Sequence, residues 1–121
     1  MAAGSARSFG EDAEAVAEEF LRGNGYKILH RNYRTRLGEI DLVAAEGGAV
    51  CFVEVKSRRT DAFGSPQGAV SGRKQERLRR AAAIYLARER LGNVDCRFDV
   101  VSVLPRSDGE GLQCELFRAA F

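Results

Sequence analysis

The strongest constraint on the fold comes from two apolar segments, residues 38–44 and 50–56, which are separated by a pair of glycines. Gly47 and Gly48 suit a two-residue loop between antiparallel strands, because such loops need positive φ angles that glycine adopts without strain. Both segments also carry charged residues where a plain core strand has none. A buried carboxylate without a partner is costly, so such charges usually face a partner or a metal ion. The pattern predicts a β-hairpin that bears a charged site.

The two-glycine loop sets the register of this hairpin. With Glu46 opposite Ala49, counting outward predicts three further facing pairs on one side of the sheet, since residues two apart share a face. The pairs are Val43 with Phe52, Asp41 with Glu54, and Glu39 with Lys56. A loop of odd length or a β-bulge would shift the register by one residue and separate these charges.

This register would place Asp41 and Glu54 side by side, with Cβ atoms roughly 4.5–5.5 Å apart. Like charges so placed repel each other. A divalent cation such as Mg2+, which favours one or two carboxylates with water and phosphate oxygens, would compensate them. Lys56, one step along the same face, would neutralise part of the charge or hold a water molecule. The alternative is a surface ladder of salt bridges, which the apolar surroundings and the facing carboxylates make the weaker interpretation.

The composition is that of an ordinary globular protein, with 45% hydrophobic and 30% charged residues in a chain of 121. This length suits one domain, which we place at residues 9–121 after a flexible, small and polar tail at residues 1–8. The tail has no apolar signal core, and no apolar run approaches the ~20 residues of a membrane span. We therefore expect a cytoplasmic protein without a membrane partner.

Cysteine and histidine offer little support for a zinc site. Three cysteines, Cys51, Cys96 and Cys114, are widely spaced and lie in predicted strands, so we interpret them as small buried hydrophobic residues rather than a disulfide framework. His30 is the single histidine, which disfavours histidine-based zinc catalysis. Neither of the common glycine-rich nucleotide-binding loops occurs.

Positive charge is clustered, although the net charge is only +2. Residues 27–36 hold four lysines or arginines and no acid, and residues 73–80 hold five against Glu76 alone. Basic clusters on separate elements are typical of proteins that bind a phosphate backbone. Each cluster by itself fits a solvated face, but two of them beside a candidate metal site favour nucleic acid as the partner.

The first predicted element is an amphipathic helix at about residues 9–22. Its apolar stripe at helical spacing consists of Ala13, Val16, Ala17, Phe20 and Leu21. Of its five acids, Glu14 lies nearest the stripe and either borders a site or remains a surface charge. The other four are expected to point into solvent: Glu11, Asp12, Glu18 and Glu19.

The other predicted elements alternate strands with one more helix. They are strands at 26–33, 38–45 and 49–57, a loop at 58–67, a helix at 71–91, and strands at 96–104 and 112–117. The second helix has a buried stripe made of Leu78, Ala81, Ala82 and Tyr85. The order α-β-β-β-α-β-β predicts an α/β fold in which helices flank a mixed β-sheet.

The hairpin motif also resembles a known family. Gly38-Glu39-Ile40-Asp41 followed by Phe52-Val53-Glu54-Val55-Lys56 resembles the signature of the PD-(D/E)-x-K nuclease superfamily, with its restriction-endonuclease-like fold and its archaeal Holliday-junction resolvases. Within it, residues 8–104 are most similar to the YraN-like bacterial family of presumed nucleases. Further matching segments are Gly10-x-x-x-Glu14-x-x-Ala17-x-x-x-Leu21, Gly25-Tyr26, Arg31-Asn32-Tyr33-Arg34, Lys74-Gln75 and Arg97-Phe98-Asp99-Val100-Val101. Ile40 stands where the superfamily signature usually has proline.

The resemblance implies a role for each matching site residue. Asp41 and Glu54 correspond to the metal-binding carboxylates, with the Val55 carbonyl as a further ligand. Lys56 corresponds to the lysine that positions the attacking water or stabilises the phosphate. Glu14 corresponds to the helix glutamate that completes the metal site in related junction resolvases. The predicted catalytic set is therefore Glu14, Asp41, Glu54 and Lys56.

The implied activity is Mg2+- or Mn2+-dependent hydrolysis of phosphodiester bonds in DNA. Backbone contacts carry no base information, so we expect recognition of structure, in branched or damaged DNA, rather than of sequence. The candidates for these contacts are Arg58, Arg59, Arg73, Lys74, Gln75 and Arg77. The main alternative is a non-catalytic nucleic-acid-binding protein on the same fold, and a third is an adaptor whose strand charges only form ion pairs. Because junction-cutting relatives act as dimers, a homodimer is a further option.

Overall fold

The computed structural model describes residues 9–57 and 70–121, with side chains from Asp12 onward. The predicted tail at 1–8, the predicted loop at 58–67, and Arg58 and Arg59 lie outside the described residues. The elements are α1 (Phe9–Gly23), β1 (Lys27–Thr35), β2 (Gly38–Glu46), β3 (Ala49–Ser57), α2 (Gly72–Arg88), β4 (Cys96–Pro105) and β5 (Leu112–Phe117). Their order is the predicted one, α-β-β-β-α-β-β.

The strands form a mixed five-stranded sheet in the order β1-β2-β3-β4-β5. Neighbouring strands are antiparallel except β3 and β4, which are parallel. A parallel pair needs a crossover connection, and α2 lies in the segment that joins β3 to β4. The predicted α/β architecture with a mixed sheet and flanking helices is confirmed.

Helix α1 packs its predicted stripe on one face of the sheet. Ala13, Ala17 and Leu21 are completely buried there, while Val16 and Phe20 are partly buried. The strands contribute Leu42, Ala44, Cys51, Val53, Val101 and Val103 to the same cluster. The small alanines allow the helix to approach the sheet closely, so polar residues beside them on α1 border the strands.

Helix α2 covers the other face of the sheet. Its buried residues are the predicted ones, Leu78, Ala81, Ala82 and Tyr85. They pack with Ile40, Val43, Val50, Phe52, Val70 and Val100. The helix ends at Arg88, earlier than the predicted residue 91, and Arg90 just beyond it has a φ of 55°, a left-handed conformation that does not continue a helix.

The central hairpin has the predicted loop and the predicted register near that loop. Gly47 and Gly48 have φ angles of 59° and 84°, as expected where both loop residues need positive φ. The paired residues run from Glu46 opposite Ala49 to Leu42 opposite Val53.

Beyond Leu42 the hairpin departs from the prediction. The Asp41 side chain accepts a hydrogen bond of 2.9 Å from the backbone N–H of Val55. A carboxylate oxygen therefore takes the position that a backbone carbonyl of β2 would have in a regular ladder. The predicted pairing of Asp41 with Glu54 is therefore not part of the β-ladder. The two strands separate at the residues that the sequence marks as the site.

The side-chain alternation also breaks at Asp41. Leu42 packs in the α1 cluster, yet Ile40, two residues away, packs in the α2 cluster. On the neighbouring strand β1, Arg31 pairs with Leu42 and Tyr33 pairs with Ile40, so β1 changes face at the same place. Asn32 lies between these two residues and has a φ of 51°. Residues two apart share a face only in a regular strand, so the prediction that all six charged and apolar hairpin residues lie on one side is wrong.

The structure also tests the prediction that all three cysteines are buried. Cys51 is buried and Cys114 partly buried, but Cys96 is exposed at the start of β4, so its prediction as a buried residue is wrong. Across 9–57 and 70–121, neither helix is long and apolar enough to cross a membrane.

Candidate active site

Asp41 is the central carboxylate of the candidate site. Besides its bond to Val55, its charge is influenced by groups from three other elements of the fold. The pKa of Asp41 is raised to about 7, first by burial and then by the nearby charges of Glu54 and Glu14, against the lowering effects of the Val55 hydrogen bond and Lys74. The site therefore concentrates negative charge around one carboxyl group, as expected where a cation binds.

Glu54 is buried on β3, with only 4% of its surface exposed. Its carboxylate forms an ion pair with the ammonium group of Lys74, which lies in the first turns of α2. The sequence assigned this compensating role to Lys56 or to a metal ion and placed Lys74 among the DNA contacts. The crossover helix instead brings a lysine from a distant segment to the buried carboxylate.

Two polar contacts fix the start of α2 and so position Lys74. The Ser71 hydroxyl caps the helix by accepting a hydrogen bond of 3.2 Å from the Lys74 backbone N–H. The Gln75 side chain donates a bond of 3.0 Å to the carbonyl of Val70, whose side chain is buried in the core. Gln75, a predicted DNA contact, thus anchors the segment that leads into the helix.

Lys56 lies on β3 two residues beyond Glu54 and is partly exposed. It makes no hydrogen bond or ion pair with the part of the chain that the structure describes. Glu39, its expected partner, lies 3.8 Å from Arg34 instead.

A cavity of about 480 Å3 opens between α1 and the splayed strands. Its lining residues are Glu14, Ala15, Glu18, Arg31, Asn32, Asp41 and Leu42. Glu14, which the sequence placed at the border of the apolar stripe, faces this cavity together with Asp41. The structure therefore brings Glu14 and Asp41 to one cavity, while Glu54 is paired with Lys74 from the helix on the other face.

Glu18 lines the same cavity as Asp41, a position that the sequence did not predict. It was expected in solvent, but it is 9% exposed and accepts hydrogen bonds from Arg31, one of them at 2.8 Å. Arg22 lies 2.7 Å from the same carboxylate. The hydrogen bond from Arg31 lowers the pKa of Glu18 despite the opposing effect of burial. The sequence shows a basic strand and an acidic helix, which could form such a pair. The pair could be predicted only if β1 and α1 were known to be adjacent.

Asp99 and Arg97, which matched the family without an assigned role, belong to a buried polar network. Asp99 is completely buried and accepts bonds from the Tyr26 hydroxyl at 2.7 Å, the Arg97 guanidinium at 3.0 Å and the Ala119 N–H at 2.9 Å. Arg97 also pairs with Glu46. This network links β4 to the end of α1 and to the hairpin, so the structure assigns it a stabilising role.

The remaining predicted residues lie on the exposed side of α2. Arg73 and Arg77 are exposed and line a cleft with Arg36 from the turn between β1 and β2. Within residues 9–57 and 70–121, no three His, Cys, Asp or Glu side chains are grouped as a complete set of metal ligands. What the fold brings together is the carboxylate of Asp41 with the charges of Glu54, Glu14 and Lys74.

The comparison with known proteins covers nearly the whole chain. Residues 13–103 match the model of the uncharacterised protein family UPF0102. A UPF0102 protein of Symbiobacterium thermophilum is 51% identical over 115 residues, which is 95% of this chain and 97% of the relative. A UPF0102 protein of Moorella thermoacetica is 47% identical over 95% of this chain and 96% of the relative, and one of Caldicellulosiruptor saccharolyticus is 44% identical over 95% and 98%. With identities this high over almost the full length of each relative, the chain belongs to the uncharacterised protein family UPF0102.

Proposed function

We propose that this protein is a metal-dependent endonuclease that hydrolyses phosphodiester bonds in DNA, with branched or damaged DNA as the substrate. The observation that supports this most is the position of Asp41. Its carboxylate lies where β2 and β3 separate, is held by the Val55 N–H, and has a pKa raised to about 7 by burial and by Glu54. The resemblance of this hairpin to the PD-(D/E)-x-K signature supports the same chemistry.

The charges of the site fit a divalent cation. Burial of Asp41 near Glu54 and Glu14 leaves more negative charge than Lys74 neutralises, as the raised pKa of Asp41 indicates. Carboxylate and carbonyl oxygens are hard ligands that suit Mg2+ and Mn2+, and Mg2+ commonly uses only one or two carboxylates with water and phosphate. Asp41 and Glu54 would hold the ion, with the Val55 carbonyl as a third oxygen. Once bound, such an ion lowers the pKa of a coordinated water and offsets charge on the phosphate.

The protein side chains have distinct tasks in this proposal. Lys56, with no partner among the described residues, orients the attacking water or donates to the phosphate oxygens as their charge grows. Glu14 borders the Asp41 cavity and adds to the negative potential there. Lys74 is 42% exposed, so its ammonium group has room to leave Glu54 and contact a phosphate when a cation replaces it.

A second candidate function is DNA binding without catalysis. The pairing of Glu54 with Lys74 favours it, because the buried carboxylate is already neutralised by a protein group. This binder would use the exposed arginines of α2 and would not require a metal ion. The two functions differ in metal linkage, because an ion that binds only the folded protein raises its melting temperature with concentration.

The test is incubation of the protein with branched, nicked and single-stranded DNA in Mn2+ or Mg2+. We expect cleavage of at least one substrate by the wild type and loss of cleavage in Asp41→Asn, whereas Asp95→Asn, an exposed aspartate in the loop before β4, keeps full activity. Equal traces for wild type and Asp41→Asn would contradict the endonuclease. If the metal ions also leave the melting temperature unchanged while DNA still binds, the non-catalytic binder is the better description.

A further inference from the structure

A cleft lined by arginines lies between the β1–β2 turn and the first half of α2. Its volume is about 310 Å3, and its lining residues are Arg36, Leu37, Arg73, Glu76, Arg77 and Arg80. All four arginines are exposed, and Glu76 is the one acid among the lining residues. Arg80 pairs with that acid at 3.1 Å. The other three arginines face the cleft without an ion pair to any described residue, so the cleft carries a surplus of positive charge.

The shape of this cleft is fixed by local contacts. The Thr35 hydroxyl accepts bonds of 3.1 Å from the backbone N–H groups of Leu37 and Gly38 and donates one of 2.8 Å to the Gly38 carbonyl. Gly38 in turn lies so near Arg77 that a Cβ atom added to it would be 3.5 Å from the Arg77 side chain. The turn that carries Arg36 is therefore held in shape and packed against α2.

The cleft is continuous with the candidate active site. Arg77 also lines a smaller neighbouring cavity with Gly38, Glu39, Lys74 and Leu78. Lys74 is the residue that pairs with buried Glu54. A path of basic side chains thus runs along α2 from the site carboxylates to the β1–β2 turn.

We propose that Arg36, Arg73 and Arg77, which we call the arginine cleft, bind the phosphodiester backbone of the DNA strand that enters the site, at a phosphate away from the one that reacts. This inference rests on the proposed function, because it takes the strand from the same substrate. Guanidinium groups stay charged and form paired hydrogen bonds with phosphate oxygens, which suits a row of phosphates. Continuity with the carboxylate site favours this strand over an acidic protein as the occupant.

The experiment measures binding of a fluorescent DNA oligonucleotide in EDTA, where cleavage cannot occur, over a series of salt concentrations. The double variant Arg36→Gln/Arg73→Gln should bind more weakly, with a plot of log affinity against log salt that is shallower by about one for each arginine removed. Glu76→Gln should bind more tightly, because it removes the acid from the cleft. The control, Arg106→Gln in the β4–β5 turn at the other edge of the sheet, should keep the wild-type affinity.

Several outcomes would overturn the inference. The inference fails if the double variant keeps the wild-type salt dependence of binding. It also fails if Arg106→Gln loses as much DNA affinity as the double variant. A competition assay compares inorganic pyrophosphate with unlabelled DNA in displacing the fluorescent DNA. Displacement by both at the same concentration would indicate a site for a free phosphate instead of a DNA strand. If the wild type cleaves DNA but the double variant binds DNA with the wild-type salt dependence, the arginine cleft is wrong and the endonuclease stands. If the double variant binds DNA more weakly but the wild type cleaves no DNA, the endonuclease is wrong and the arginine cleft stands.

Discussion

Lys74 on α2 and Glu54 on β3 form an ion pair in which the lysine side chain is 42% exposed and the glutamate side chain 5% exposed. The pair connects the crossover helix to the strand that it follows in the chain, directly beside the carboxylate of Asp41. If Asp41 and Glu54 hold a divalent cation, as proposed above, Lys74 and that cation compete for the same buried oxygen atoms of Glu54. This competition can be measured through protein stability.

We expect Lys74→Met to destabilise the protein, because it leaves the buried carboxylate of Glu54 without its partner. The loss should be about 2 kcal/mol, below the ~3–5 kcal/mol of a fully buried pair, since Lys74 is half-exposed. Urea unfolding measures this loss, and Mn2+ should raise the melting temperature of Lys74→Met more than that of the wild type. Arg73→Gln, the exposed neighbour, is the control and should change stability by less than about 0.5 kcal/mol. Equal effects of the two substitutions would contradict the prediction.

Lys56 should matter for activity and not for folding. Lys56→Met removes no hydrogen bond or ion pair to a described residue, so its urea midpoint should stay near that of the wild type. Loss of a donor to the developing phosphate charge should lower kcat by about 100- to 1,000-fold. Single-turnover cleavage of the DNA substrate in Mn2+ measures this loss. A variant that is active at the wild-type rate would remove Lys56 from the proposed mechanism.

Tyr26→Phe should cost stability in a manner that depends on pH. The hydroxyl donates to buried Asp99, and a hydrogen bond to a charged group contributes about 1.5–3 kcal/mol. Burial, followed by the bond to Asp99, raises the pKa of Tyr26 from 10 to about 12. The neutral form is thus favoured in the folded protein, and its contribution is complete below pH 10 and lost as the pH rises through about 12.

Stability measured against pH for wild type and Tyr26→Phe checks this expectation. The difference in free energy of unfolding between them should be constant near neutral pH and shrink in the alkaline range. Two parallel curves up to the highest pH at which both proteins fold would show that the Tyr26 hydroxyl does not donate to Asp99.

Glu18→Gln should show the opposite pH dependence. The hydrogen bond from Arg31 lowers the pKa of Glu18 below its ordinary value of 4.5, so the ionised form stabilises the folded protein. That contribution is present above pH 4.5 and is lost as the pH falls through the lowered folded-state pKa. At neutral pH we expect Glu18→Gln to be about 1–3 kcal/mol less stable than the wild type. Acid unfolding curves measure the difference, and the exposed neighbour Glu19→Gln should leave the neutral-pH stability nearly unchanged.

Ser102→Ala should stabilise the protein. Ser102 is 1% exposed on β4, and its hydroxyl oxygen makes no hydrogen bond to the described part of the chain. Removing a buried polar group without a partner should gain about 1 kcal/mol, seen as a higher urea midpoint. Because Ser102 lies opposite Lys56 in the parallel register, cleavage assays on the same variant show whether the hydroxyl affects the site. A less stable Ser102→Ala protein would mean that the hydroxyl bonds to a group outside the described residues or to water.

Local sequence determined the elements and the part of the hairpin nearest its loop. Gly47 and Gly48 alone specify the turn and the pairing from Glu46 to Leu42, since positive φ and strand alternation are properties of neighbouring residues. The same holds for the buried stripe of α2, where Leu78 to Tyr85 follow from helical spacing.

Tertiary structure decided which charges meet. Asp41 leaves the regular ladder because its carboxylate bonds to Val55, and the change of face at Ile40 occurs together with a matching irregularity at Asn32 on the adjacent strand. These shifts depend on strand neighbours, so counting along one hairpin cannot find them.

The partners of the buried charges were likewise decided by packing. Glu18 meets Arg31 because α1 contacts β1, and Glu54 meets Lys74 because α2 packs on β2, the neighbour of β3. The Tyr26 hydroxyl bonds to Asp99, which lies 73 positions away in the chain. Sequence marked Asp41, Glu54 and Lys56 as unusual because apolar segments rarely hold unpaired charges. The partner of the Glu54 carboxylate follows only from the way α2 packs on the sheet, because Lys74 comes from an element that is adjacent in space and not in the chain.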